Sequence, residues 1–232
     1  MCRGYVLVEG YTERAVIQEV LAPHLADRGI YLSARIVGKP GKKGGDCQFQ
    51  RRVLPEIRNL ILQENDTFVT TFFDYYALPD DWPAWEESRR LNVSLYLEKA
   101  NVIEAGLKDA VCVKLPRMNP ARFIPYIQMY ELEALLFADC GIMGDILKVD
   151  GNLFQEILDE HDGLCETIND SQTTAPSKRI ANIVSSYKKG SSVNAHAWQI
   201  LKKIGLRRIR EQCRHFNEWI QKLERLSSHP IE

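Results

Sequence analysis

At 232 residues, with 45% hydrophobic and 26% charged side chains, the chain has room for one large soluble domain, or a core domain with a helical appendage. A formal net charge of −1 excludes a wholesale polyanion binder but leaves room for a local basic patch. No apolar run approaches the roughly 20 residues needed to span a bilayer, so no membrane association is expected. The six cysteines (Cys2, Cys47, Cys112, Cys140, Cys165, Cys213) form no C-x-x-C pair, and neither a zinc site nor a disulfide framework follows. A strand is expected almost at once, with no signal peptide before it, so reduced thiols and a cytoplasmic setting are expected.

Residues 5–8 (Tyr-Val-Leu-Val) read as a short buried strand that ends on Glu9 and Gly10. Thr12 and Glu13 stand where a helix takes its cap and its acidic first turn. Glu9 thus lies at the carboxyl end of a strand, the usual ligand edge of open α/β sheets, and Glu13, one turn on, can face the same crevice. The plainer alternative is that Glu9 caps turn amides and Glu13 complements the helix dipole. Val16, Ile17, Val20, Leu21 and Leu25 continue the helical spacing, Pro23 predicts a kink or a second short helix, and Gly29 a stop. Residues 31–37 read as a second strand. A basic loop follows, Gly38-Lys39-Pro40-Gly41-Lys42-Lys43-Gly44-Gly45, which lacks the G-K-[S/T] of a Walker A loop. It is either a solvated loop or one whose lysines, Lys42 and Lys43, meet a phosphate backbone. Asp46 is expected to cap a helix carrying Phe49, Val53, Ile57 and Leu60, with a break at Pro55.

Residues 68–73 form the expected third strand, which also ends on a carboxylate, Asp74. If the two strands are neighbours in one parallel sheet, Glu9 and Asp74 share an edge. Clustered acids repel, and a divalent cation or a shared proton offsets that cost. Asp80 and Asp81 in the next loop could extend the set. Residues 82–106 look helical, with Trp85, Leu91, Leu95 and Ile103 inside. Residues 111–115 read as a short strand and 123–128 as a fourth, with Pro125 sitting uneasily in it. Glu131 follows that strand and is expected to approach the acidic edge; Glu133, two residues on, cannot share a helical face with it. Beyond residue 139 the chain turns helical. A polar loop over 166–177 leads into Ser177-Lys178-Arg179, and a last helix over 205–226 places Ile209, Cys213, Phe216, Ile220 and Leu223 on one stripe. Its outer arginines, among them Arg207, Arg208, Arg210 and Arg214, read as a solvated face or a nucleic-acid contact. His215 reads as a half-buried core residue, and no Ser-His-Asp or Cys-His arrangement emerges.

Glu9-Gly10 and Glu13 after a first strand, with Asp74 after a third, resemble the Toprim module, the metal-binding α/β domain of topoisomerases, primases and some nucleases. More closely, the chain resembles the Toprim-related family catalogued as domain of unknown function 4276 (DUF4276). The matching stretches run in the family's order: Val8-Glu9-Gly10-Tyr11-Thr12-Glu13, Leu21-Ala22-Pro23-His24-Leu25, Phe73-Asp74-Tyr75-Tyr76-Ala77-Leu78-Pro79, Tyr130 to Phe137, Ala175-Pro176-Ser177-Lys178-Arg179, and Cys213-Arg214-His215-Phe216 with Trp219. The resemblance implies an α/β fold with a Toprim-like parallel sheet flanked by helices over residues 1–140, and a mainly helical C-terminal part over 141–232. It also implies a Mg²⁺ or Mn²⁺ site and nuclease chemistry on nucleic-acid phosphodiester bonds, in phage or mobile-element defence beside an AAA- or ABC-type ATPase. A Toprim third strand usually ends in D-x-D, whereas Asp74-Tyr75-Tyr76 has no second acid, so Glu131 or a loop acid is expected to complete the set. On that reading Glu9, Asp74 and Glu131 are the catalytic, metal-holding residues and Glu13 an additional ligand. Lys42, Lys43, Lys178 and Arg179 meet the substrate. The other reading is a non-catalytic module that binds nucleic acid or regulates an ATPase-containing complex. Neither DNA against RNA nor the oligomeric state follows from the sequence.

Overall fold

A computed structural model of the chain describes residues 2–39, 42–64, 66–168, 174–187 and 194–227. Strand β1 (Cys2–Val8) lies inside a parallel sheet, between β2 (Ile30–Ile36) and β5 (Thr67–Asp74). Two short strands, β6 (Phe123–Ile124) and β7 (Ile127–Gln128), pair with the far side of β5. Between β2 and β5 a separate two-stranded ribbon pairs β3 (Gly38–Lys39) with β4 (Lys42–Lys43). The chain moves from β1 to one neighbour and then returns past it to β5, so the order reverses between β1 and β5. Open α/β sheets bind ligands at that crevice, outside the carboxyl ends of the strands.

Side chains alternate across a strand, so β1 sends Val6 and Val8 to one face and Leu7 to the other. Leu7, Val69 and Phe73 join a core with α3 (Leu54–Gln63), while α4 (Trp85–Arg90) leads to α5 (Tyr96–Lys114) on the same side. Val6, Val8 and Phe72 face α1 (Tyr11–Val16), α2 (Ala22–Ala26) and the helices after residue 139. Those helices are α6 (Cys140–Leu147), α7 (Asn152–Asp159), α8 (Pro176–Ile183), α9 (Asn194–Ile204), α10 (Leu206–Gln212) and α11 (Arg214–Glu224). Among the described residues no helix is long and apolar enough to cross a membrane. The expected class, a parallel sheet flanked by helices with a helical C-terminal part, is present and is consistent with a Toprim-like layout.

Several local expectations change for identifiable reasons. Pro23 stands in the first turn of a second short helix, α2, one of the two expected outcomes, whereas Pro55 does not break its helix. Each follows closely on a π-helical turn, Ile17–Leu21 before α2 and Phe49–Val53 before α3, where the altered hydrogen-bond ladder accommodates a residue without an N–H. Gly29, at φ +74°, does end the first helical segment. Thr12 is buried and caps nothing; the cap position of α1 is Gly10, with no side-chain bond. Asp46 is likewise no cap, and instead accepts from Arg52 Nε at 3.0 Å. Residues 111–115 are no strand. Val111 extends the buried stripe of Ala100, Ile103 and Leu107 at helical spacing, and α5 runs through it. Leu95, expected inside, sits 40% exposed in the turn before α5.

Pro125 splits the fourth strand into β6 and β7, and Thr71 on β5 repairs the ladder. Its hydroxyl accepts from Tyr126 N at 2.9 Å and donates to Tyr126 O at 2.8 Å. Thr71→Val keeps the shape but strands both backbone groups in the core. The expected cost is about 1–3 kcal/mol in urea unfolding, with the slope against urea unchanged. A loss below a few tenths would mean that the ladder holds without the hydroxyl.

The expected single C-terminal helix is two. Cys213 is extended between α10 and α11 because the carboxylate of Glu166 caps the new N-terminus, accepting from His215 N at 2.8 Å and Phe216 N at 3.0 Å. This break turns His215 inward, 3% exposed, against Glu104 of α5 at 2.8 Å. Tyr126 is stacked with both His215 and Trp219, with ring centroids 4.8 Å and 4.3 Å away.

Candidate functional site: an acid-lined cleft at the sheet edge

The register explains how the acids meet. Val8 pairs with Phe72, so Glu9 and Asp74 leave adjacent strands one and two residues beyond that pair. They line a cleft of about 400 Å³ together with Glu13 and Glu133. Gly10 makes room for Glu13: a Cβ at residue 10 would lie 3.0 Å from Glu13 Oε2, so the carboxylate folds back over the glycine. The loop after β4 closes another side. Gly44 and Gly45 hold φ of +92° and +67°, and Gly44 N donates to Val37 O at 2.9 Å, close against the backbone of Glu9.

Asp74 is 3% exposed, and its Oδ1 accepts from Leu132 N at 2.8 Å. The aspartate therefore anchors the 3₁₀ helix Leu132–Asp139 that carries Glu133. Just before it, Tyr130 adopts φ +60°, a rare conformation for an aromatic residue, and swings the chain between strand and helix. Glu131, still extended just before the helix, and Glu133, inside it, then diverge. Glu133 faces the cleft and accepts from Tyr187 Oη at 3.3 Å. Glu131, 2% exposed, directs Oε2 to Ser177 N at the start of α8, 2.8 Å away. The structure thus brings together Glu9, Glu13 and Asp74 of the expected set and adds Glu133, while Glu131 caps a helix.

Crowding shows in Glu13. Burial first, then the charges of Asp74, Glu9 and Glu133, push its pKa up to about 8, against a bond to its own backbone N–H that pulls the other way. The fold thus favours the protonated form of Glu13. Nearby Cys47 is pushed up to about 12 by burial and Glu9, which removes it as a nucleophile. Carboxylate oxygens are the donors that Mg²⁺ and Mn²⁺ prefer, so the donor set fits such an ion by chemistry. As placed, no three His, Cys, Asp or Glu side chains among the described residues converge to hold one.

The basic residues fare differently. The side chains of Lys42 and Lys43 lie outside the described residues, but their backbone forms β4, next to the cleft-lining glycines. Lys178 is exposed on α8, and Arg179 pairs with Glu160 at 2.7 Å. The C-terminal arginines are engaged locally: Arg207 with Glu211, Arg210 with Glu224, Arg214 with Glu218, and Arg208 with the carbonyl of Ala138. Sequence reasoning did not single out Glu133 or Tyr11, which also lines the cleft. The run Tyr130-Glu131-Leu132-Glu133 did signal two acids, but choosing between them needs the backbone.

Fold and cleft together define an α/β domain with a parallel sheet and an acidic site at its switch point. The chain belongs to the family described as Domain of unknown function (DUF4276), whose model matches residues 8–224. No curated protein and no solved structure matches it.

Proposed function

We propose that the cleft is a divalent-cation site, for Mg²⁺ or Mn²⁺, in a nuclease that hydrolyses nucleic-acid phosphodiester bonds. The observation that carries this reading is geometric: four carboxylates, Glu9, Glu13, Asp74 and Glu133, line one cleft at the carboxyl edge of the sheet. Acids this close at one sheet edge are costly to keep without a counter-charge, and a cation supplies that charge better than a proton does. Glu9, Asp74 and Glu133 would hold the ion, and Glu13 would give up its proton to join them. When bound, the ion supplies the charge that polarises a scissile phosphate and lowers the pKa of an attacking water. The ribbon carrying Lys42 and Lys43 leads directly into Gly44 and Gly45 of the cleft lining, which supports a role for these lysines toward a phosphate backbone. Work beside an AAA- or ABC-type ATPase in phage or mobile-element defence belongs to the same proposal. A specific observation favours the non-catalytic alternative, a nucleic-acid-binding or regulatory module: no three ligand side chains among the described residues yet converge.

Calorimetric titration with Mn²⁺ separates the two. The expected result is an isotherm that releases close to one proton at pH 7, read from the heat in buffers of different ionisation enthalpy. Affinity should rise about tenfold per pH unit and level off above about pH 8, where Glu13 is already ionised. Asp74→Asn should abolish binding while keeping the bond to Leu132 N, because Asn offers the same acceptor oxygen. Absence of an isotherm in the wild type, or binding without proton release, would leave the non-catalytic module.

A further inference from the structure

Tyr11 opens α1 directly after Gly10, lines the acidic cleft, and is nevertheless 61% exposed. The guanidinium of Arg14, one turn later, stands 4.9 Å from its ring centroid. That contact puts a cation over one face of the ring, while the residue as a whole stays largely open to solvent at the cleft. A polyanion approaching four carboxylates is repelled, so a nucleic acid must be held at the rim before a phosphate can lie over the acids. An aromatic face backed by arginine is such a hold, because every base offers a π-face and stacking needs no sequence match. In a duplex those faces are covered by neighbouring base pairs, whereas in a single strand they can splay out onto a side chain. The β3/β4 ribbon adds backbone positions for Lys39, Lys42 and Lys43 beside the same cleft, along which a strand's phosphates could run.

We propose that Tyr11, backed by Arg14, is the stacking platform for an unpaired nucleobase, and that the cleft therefore takes single-stranded rather than duplex nucleic acid. This rests on the nuclease reading for the role of the cleft, but the platform can be tested without catalysis.

The experiment is fluorescence anisotropy with a short labelled single-stranded DNA, its abasic counterpart and the matching duplex. Ca²⁺ replaces Mg²⁺, and each titration is repeated in EDTA. The wild type should prefer the single strand over both comparators. Tyr11→Ala should weaken single-strand binding about 5- to 150-fold, the range expected for losing one stacked base, and bring it level with the abasic strand. Tyr11→Phe and Tyr11→Trp should retain binding, since the ring and not the hydroxyl does the work. The tryptophan introduced at residue 11 should also be quenched by the single strand. The proposal is overturned if Tyr11→Ala binds the single strand as the wild type does, if the abasic strand or the duplex binds equally well, or if the single strand does not bind. The Mn²⁺ isotherm of the wild type keeps the two readings apart. Tyr11-dependent binding in EDTA without an isotherm keeps the platform and discards the nuclease. An isotherm with a silent Tyr11→Ala does the reverse.

Discussion

Glu13→Gln should make the metal-free protein more stable at pH 9 and leave it unchanged below about pH 4.5. The folded pKa of Glu13 is raised to about 8 from an ordinary 4.5, so the fold favours the protonated form. The stability this group contributes is complete below its ordinary value and is lost as pH rises through about 8. Each pKa unit is worth about 1.36 kcal/mol, and because four acids share the crowding, the loss expected in the wild type is on the order of a few kcal/mol. Glutamine stays neutral and keeps nearly the same shape over Gly10, so its stability curve should run flat across the interval where the wild type falls. Urea unfolding in EDTA at several pH values reads the difference directly. Parallel curves for the two proteins would mean that the acids do not crowd, and the case for a counter-ion would go with them. Adding Mn²⁺ should close the gap at high pH for the wild type, since a ligand that binds only the folded state at about 100 times its Kd adds roughly 2.7 kcal/mol.

The largest loss of stability is expected from Glu104→Ala. Glu104 is 5% exposed; its Oε1 accepts from His215 Nε2 at 2.8 Å and from Ile127 N at 3.0 Å, and Lys222 Nζ lies 3.7 Å from Oε2. Removing it leaves a buried imidazole and a strand amide without their partner, at a cost of about 3–5 kcal/mol. At roughly 2–4 °C per kcal/mol for a chain of this size, Tm should fall by about 6–20 °C. Burial alone would lower the pKa of His215, but Glu104, with Glu166 in support and Lys222 opposing, raises it on balance. A raised histidine stabilises fully below its ordinary value near 6.5, and that contribution is lost as pH climbs through the raised one. Glu104→Gln separates charge from hydrogen bonding. Its amide oxygen can still accept from Ile127 N, so most of the stability should survive at high pH, while the gain at low pH disappears. A wild-type profile without that gain would mean that His215 stays neutral in the fold.

The sheet was legible wherever a short apolar run ended on a carboxylate. Residues 5–8 and 68–73 announced neighbouring strands, and the register between β1 and β5 then delivers Glu9 and Asp74 to one edge. Helical periodicity served less well where tertiary partners decide the outcome. The break at Cys213 depends on a carboxylate from residue 166, and the repair at Pro125 on a hydroxyl from residue 71. Neither partner is local, so no window of sequence contains the reason. The divergence of Glu131 and Glu133 has the same origin. Both acids follow the fourth strand, and the positive φ of Tyr130 with the amide of Ser177 decides which one turns away. Tyr11 was part of a recognised stretch, but its exposure at the cleft rim is a property of the folded surface.

The anchors of the cleft also set an order on its assembly. Asp74 waits for the amide of Leu132, 58 residues on; Glu131 for that of Ser177, 46 residues on; and Glu133 for the hydroxyl of Tyr187, 54 residues on. A chain emerging from the ribosome completes the two acid-bearing strands long before these donors have been made. Contacts of such long range also close slowly once the chain is free, because loop-closure entropy must be overcome first. The acidic cleft is therefore among the last features to form during synthesis. Whatever it binds is offered the full set of anchors only once the chain through Tyr187 has docked, so occupancy of the cleft reports that the sheet and the segment carrying α8 and Tyr187 have come together.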